Sequence, residues 1–307
     1  MGAGMTKPII PDYGMGRVVR IPHMHPTTLD ASDWSTRTGV GSPRDIVVDS
    51  LGDIYVSNGS TTVYRIDQIP AVSTLTPITL VGLASPSPSI TIDNANNRIY
   101  SYGDVGAGVP SYSIYYYTYI APTGSGSLPP PTGIPTGTNQ IAAIKYSNGV
   151  FFLAGNQSLP RIFRYVPGAT PSTIEATSPK LVNPQDILIK GPYCYVANYP
   201  TDPTTYSPTD YATIEVFDKD TLTYIGSYGT RTDTDNDTTP GHFYGPHHFV
   251  AITNKKIYVV DDGYSINQGR NRIIAFDDIQ TWSGWDTFRA EDIPTNQEFR
   301  FYEYSVC

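Results

Sequence analysis

The stretch Arg231–Val250, RTDTDNDTTPGHFYGPHHFV, sets carboxylates at Asp233, Asp235 and Asp237 shortly before imidazoles at His242, His247 and His248. Alternate aspartates resemble the first, third and fifth ligands of a calcium loop, and oxygen ligands suit that hard cation. The pattern then breaks: Thr238 stands where such a loop needs glycine, and Tyr244 where it needs a bidentate glutamate. A calcium-braced loop and a plain solvated loop both remain open. Imidazoles serve zinc binding or proton transfer. His23 and His25 in IPHMHP form a second pair, but zinc takes three or four ligands and no third lies nearby in the chain. Nucleophilic chemistry has less support, since neither a Gly-x-Ser-x-Gly elbow nor a plausible Cys–His pair occurs. Cys194, in YCYVAN, is expected on a buried strand, and Cys307 is expected to be free. Two cysteines cannot form a disulfide framework.

These groups can act together only if the chain folds them into one place. Of its 307 residues 16% are charged, while Tyr (24), Pro (27) and Gly (27) are abundant. Twenty Lys and Arg face 28 Asp and Glu, a formal charge of −8. That balance lacks the basic footprint of nucleic-acid binding and repels anionic lipid. No apolar run has the length of a membrane span, and MGAGMTKPIIPDYGMG has neither the charged nor the apolar part of a signal peptide. Nucleic acid and membrane insertion are therefore not expected.

The chain repeats. In SPRDIVVDSLGDIYVSNGSTTVYRID, residues 42–67, three short β-rich runs are separated by turn-forming SLGD and NGST. The same order returns at 86–118, 139–166, 183–218 and 245–277. The residues just before each first strand are Asp45, Ser89, Gln140, Asp186 and His248, which subtraction places 44, 51, 46 and 62 apart. Units of this length holding about four strands indicate propeller blades. TLTPITLVG (74–82) and TLTYIGSYG (221–229) fit as fourth strands. GRVVRIP (16–22) resembles the third strand of a unit lacking its first two, and the C-terminal EFRFYEYSVC alternates like one more strand. The expectation is an all-β, six-bladed β-propeller over residues 16–307 after an N-terminal extension, 1–15. N- and C-terminal segments would share the closing blade, removing an open sheet edge.

PRDIVVDSLGDIYVSN with VYRID, and GPHHFVAITNKKIYVVDDG with NRIIAFD, resemble NHL-type propeller blades. The resemblance covers about 42–280 and implies the fold. Relatives of that fold include protein- and RNA-binding modules, sensors, lactonase-like hydrolases and a zinc-dependent amidating lyase, so function must come from the site. The lyases hold zinc with histidines from several blades, whereas here the fifth unit alone offers histidine. The hydrolases need a glutamate that no first strand here supplies.

First strands line a propeller's channel, so Asp45, Ser89, Gln140, Asp186 and His248 are the expected channel-mouth residues. Asp45, Asp186 and His248 with waters could hold calcium or another divalent metal. Alternatively Asp45 and Asp186 hydrogen-bond backbone amides of neighbouring blades. In YSIYYYTYI (112–120) tyrosines fall on both faces of a strand, as suits either inter-blade packing or a partner surface. APTGSGSLPPPTGIPTGT (121–138) reads as a long loop, and Asn58, Asn156 and Asn236 each begin a glycosylation sequon. The preferred expectation is a non-enzymatic protein-binding or structural module without a cofactor. It would present loops 121–138, 199–212 and 230–246 to a protein partner or to copies of itself, in an extracellular, surface or virion-like assembly. The alternative is a metal-dependent hydrolase or lyase at the channel mouth.

Overall fold

A computed structural model describes residues 9–12, 17–20, 35–58, 62–66, 75–79, 89–104, 112–119, 124–129, 131, 134, 141–156, 158–169, 173–200, 211–234, 237–250, 256–261 and 272–289. The first sheet is antiparallel: β1 (Ile9–Asp12), β2 (Arg17–Arg20) and β3 (Ser35–Thr38), in that order. Five four-stranded antiparallel sheets follow. Blade one contains β4 (Asp45–Val48), β5 (Ile54–Ser57), β6 (Thr62–Ile66) and β7 (Leu75–Thr79). Blade two contains β8 (Ile90–Asp93), β9 (Arg98–Asp104), β10 (Tyr112–Thr118) and β11 (Ser125–Ser127). Blade three contains β12 (Ile141–Ser147), β13 (Val150–Gly155), β14 (Ile162–Tyr165) and β15 (Thr173–Ala176). Blade four contains β16 (Pro184–Lys190), β17 (Tyr193–Asn198), β18 (Thr213–Asp218) and β19 (Tyr224–Tyr228). A short parallel pair, β20 (Thr230–Arg231) and β21 (His242–Phe243), leads to blade five. That blade contains β22 (Pro246–Val250), β23 (Ile257–Asp261), β24 (Arg272–Phe276) and β25 (Asp286–Arg289).

Inner strands touch in the series β4, β8, β12, β16, β22, with β1 of the first sheet against β4, and the chain is a β-propeller. Among the described residues, each seam from the first sheet round to blade five has its own apolar core. Val18 packs with Ile54, Val56 and Ile66 against blade one. Phe152 and Ile162 of blade three meet Val196 and Phe217 of blade four, and Ile214 meets Val259 and Phe276 across the next seam. Both faces of a middle strand are thus covered, so β5, β23 and β24 are buried throughout instead of alternating. A fully buried residue of the Val, Ile or Phe class contributes roughly 1.5–3 kcal/mol.

Several sequence expectations change. Arg17–Arg20 of GRVVRIP is the middle strand of the first sheet, compatible with a third strand, but the unit does not lack both earlier strands, because Ile9–Asp12, placed in an extension, pairs with it. EFRFYEYSVC (298–307), expected in the closing blade, lies outside the described residues. Within APTGSGSLPPPTGIPTGT, Ser125–Ser127 forms the outer strand of blade two rather than loop. Glycine permits this, because a Cβ on Gly126 would fall 2.6 Å from the Tyr116 hydroxyl. The β10 tyrosines pack inside on both faces: Tyr115 joins the seam with blade one and Tyr116 the seam with blade three. Tyr100 sits 4.9 Å edge-on to Phe151 across that second seam.

Strand alternation places the β17–β18 connection and every link between blades at the end where inner strands begin, the mouth end. Three long connections, 128–140, 199–212 and 229–245, start and end there. At the opposite end β12–β13 and β16–β17 turn over 148–149 and 191–192.

Candidate functional site

Asp45, Ser89, Asp186 and His248 stand at the mouth-end starts of β4, β8, β16 and β22. Asp45 Oδ2 accepts the Ser89 hydroxyl at 2.7 Å and the Ile90 N–H at 3.0 Å, while Oδ1 accepts its own next amide, Ile46, at 2.8 Å. Ser89 Oγ in turn accepts the Ile144 N–H at 3.1 Å. Asp186 Oδ1 accepts the Ile187 N–H at 2.7 Å and Oδ2 the Phe249 N–H at 2.9 Å. The relay therefore stitches blade one to two, two to three, and four to five. Such bonds satisfy backbone donors that would otherwise be buried unpaired.

Lys145 joins the two halves. Its Nζ lies 3.4 Å from Asp45 Oδ2 and 3.3 Å from Asp186 Oδ1. Burial disfavours the ammonium, but Asp186 and then Asp45 outweigh that and hold its pKa above the ordinary lysine value. Asp186 moves the other way: burial opposes its ionisation, yet Lys145, His248 and the Phe249 amide bring its pKa down to about 2. His248 Nδ1 lies 3.7 Å from Asp186 Oδ2. His247 turns away and packs edge-on to Tyr199 at 5.5 Å. Desolvation, with His248 adding to it, lowers its pKa well below the usual imidazole value.

Asp45, Ser89, Asp186 and His248 are thus drawn into one chain of contacts around Lys145. Gln140 lies outside the described residues, and register assigns its expected place to Ala143. Inner strands β12, β16 and β22 carry equivalent irregularities at Ile141/Ala143, Pro184/Asp186 and Pro246/His248, which aligns Ala143 with Asp186 and His248. Because alanine is apolar, it extended the hydrophobic run and moved the apparent strand start. Lys145 was missed for the same reason. Aligned on Ala143, it stands where the other inner strands have Val47, Thr91, Leu188 and Val250, a charged outlier that correct register would have exposed.

Asp45 and Asp186 were also candidates, with His248, to hold a metal. Their carboxylates are engaged by backbone amides, and the cation between them is the Lys145 ammonium. Among the described residues no three His, Cys, Asp or Glu side chains are arranged to hold a metal.

The calcium-loop candidates have another arrangement. Asp235 lies outside the described residues and Asp233 is exposed. Asp237 folds inwards, accepting the Thr232 hydroxyl at 2.7 Å and the Thr239 N–H at 2.9 Å, with His242 Nδ1 at 2.7 Å. Burial opposes its ionisation, but these three partners hold its carboxyl well below the usual range. His242, which the sequence could not pair with a carboxylate, is therefore part of a loop brace outside the channel ring. Arg272 anchors the brace: it donates to the Asp237 carbonyl, to the His242 carbonyl at 2.7 Å and to Asp261 Oδ2 at 2.8 Å. Asp261 also accepts the Tyr244 and Gly245 amides, and burial pushes its carboxyl above the usual range against the pull of Arg272. Blade four has a neutral version, in which Asn198 Oδ1 accepts the Val182 and Asn183 amides and its Nδ2 donates to Thr213.

No protein-family profile and no curated protein sequence matches the chain. Solved structures share its fold. A chain of the nidogen/laminin complex superposes with a TM-score of 0.61 at 13% identity over 95% of both chains. Hydrazine synthase of Kuenenia stuttgartiensis gives 0.52 at 11% identity, over 83% of this chain and 68% of that one. A functionally unknown protein from Desulfotomaculum acetoxidans gives 0.52 at 13%, over 92% and 78%. At these identities the likeness shows the β-propeller fold alone.

Proposed function

We propose that this chain is a protein-binding propeller module, without catalytic chemistry of its own, that engages its partner with the loops at the mouth end. The observation that carries this reading is where chain length is attached: the long connections 128–140, 199–212 and 229–245 all start and end at the mouth end of the strands. A rigid scaffold that spends its variable length on one face is suited to recognition. The channel residues support a non-enzymatic role, because Asp45, Asp186 and Lys145 bond one another and neighbouring backbone. One neighbour in fold was solved as a complex of nidogen with laminin, which supports the reading by analogy only.

The ring in this reading has six blades. The sheet β1–β2–β3 supplies three strands of the sixth, β3 leading directly into inner strand β4 as an outer strand does, and the C-terminal segment 298–307 would complete it as the inner strand beside β1. An extracellular, surface or virion-like assembly is the setting proposed for it. Neither a calcium ion nor another divalent metal is required.

The test shortens 199–212 to a tight turn and, as a control, shortens the β14–β15 connection, 166–172, at the other end. Light scattering and affinity capture from the source organism, with captured proteins identified by mass spectrometry, would compare both with the parent chain. The mouth variant should lose a specific partner or a self-assembled state that the control keeps. Equal behaviour of the two variants would sink the proposal.

A further inference from the structure

Directly paired residues of antiparallel strands project on the same sheet face. Lys145 pairs with Phe152, Phe152 with Arg164 and Arg164 with Ile174, so these four form one row across blade three. Phe152 belongs to the core shared with blade four, which makes this the face turned to that blade. On the opposing side Ile189, Cys194, Phe217 and Tyr224 form a matching row. Phe152, Cys194 and Phe217 share one core with Ile189, whereas the outer members Ile174 and Tyr224 stay exposed. Among the described residues the exposed large hydrophobics are Leu51, Ile174 (37%), Tyr224 (36%) and Ile225 (42%). Three of these four lie at the outer rim of this one seam, and Ile225 is the extra residue where the β18–β19 register slips.

Beneath that rim lies Arg164. It is partly buried, its Nε is enclosed, and among the described residues no hydrogen bond or ion pair reaches its guanidinium. Arg65, at the third-strand position of blade one, by contrast pairs with Asp53. A half-enclosed guanidinium with unused donors favours a carboxylate, which it can bind in a two-pronged fashion. Exposed aliphatic and aromatic side chains beside it favour an apolar group.

We propose that the rim of the seam between blades three and four binds an acidic, apolar segment of a partner protein, with a carboxylate on Arg164 and an aliphatic side chain between Ile174 and Tyr224. This surface is at the outer rim, apart from the mouth loops, so its failure and that of the mouth-end reading are distinguishable. It adds to the protein-binding reading a second surface and the chemistry of its occupant.

The test titrates full-length protein with fluorescent peptides alternating Leu and Glu, and with matched peptides alternating Leu and Lys. Leu/Glu peptides should bind, and Arg164→Gln should weaken them roughly tenfold or more, as expected for a lost charged hydrogen bond. The double variant Ile174→Ser, Tyr224→Ser changes exposed residues only, so it carries the test if Arg164→Gln does not fold; it too should weaken binding. Equal binding of Leu/Lys peptides, or no effect of either variant, overturns the proposal. A concentration-dependent dimer that Arg164→Gln dissolves, without peptide binding, also overturns it by giving the seam to a second copy.

Discussion

Lys145 Nζ stands 3.3 Å from Asp186 Oδ1, although the two residues belong to inner strands of different blades. The same ammonium reaches Asp45 of blade one at 3.4 Å. One lysine thereby balances two carboxylates that hold the first strands of neighbouring blades.

Removing it should leave two low-solvent carboxylates facing each other without a cation. Lys145→Met should destabilise the fold by about 3–5 kcal/mol, the range for breaking a buried ion pair from one side. Urea unfolding measures this. Lys145→Met combined with Asp186→Asn should lose less than the sum of the single variants, because the uncompensated charge is gone.

Acid should weaken the same ring. The folded pKa of Asp186 is about 2, below the unfolded value of about 3.9. Its contribution is fully present above the unfolded value and is lost as pH falls through the folded one, so the window is about pH 4 to 2. The shift corresponds to roughly 2–3 kcal/mol. Asp237, also depressed, contributes in the same direction. Stability measured across this window should fall less steeply in Asp186→Asn.

Blades four and five solve one problem with different chemistry. Asn198 pairs with Thr213 at the position where Asp261 pairs with Arg272. Asp261→Asn alone leaves Arg272, 2% exposed, without its carboxylate and should cost about 3–5 kcal/mol. Adding Arg272→Thr rebuilds the blade-four pair and should recover part of that loss. A double-mutant cycle in denaturant reads the recovery.

Gly241 has φ +82°, and a Cβ there would lie 2.6 Å from the Trp282 indole nitrogen. Gly241→Ala should therefore strain the backbone and displace Trp282 from Phe243 and Phe276, whose rings lie 5.7 and 5.1 Å away. A loss of about 1–3 kcal/mol with changed tryptophan fluorescence is the expected outcome.

Chelation should leave thermal stability unchanged, since Lys145 already supplies the cation between Asp45 and Asp186. A melting temperature lowered by EDTA and restored by calcium would return the aspartates of 233–237 to consideration as ligands.

Sequence by itself determined the repeat, the all-β character and the polar residues Asp45, Ser89, Asp186 and His248 at the inner-strand starts. It could do so because a strand buried on both faces must be a short apolar run, and a polar residue ending such a run stands out. Tertiary structure decided what those residues do. Ala143 hid the start of β12, so only strand pairing gave the register that brings Lys145 into the ring. The tyrosines of β10 have the same pattern whether a blade or a partner covers them, and only the neighbouring sheets chose packing. Most of all, the Asp233–His248 stretch looked like one carboxylate–imidazole cluster. The repeat already set His248, on a first strand, apart from the aspartates of the preceding loop; only folding supplied their partners, because Arg272 pulls Asp237 and His242 into a loop brace while strand β22 carries His248 to Asp186.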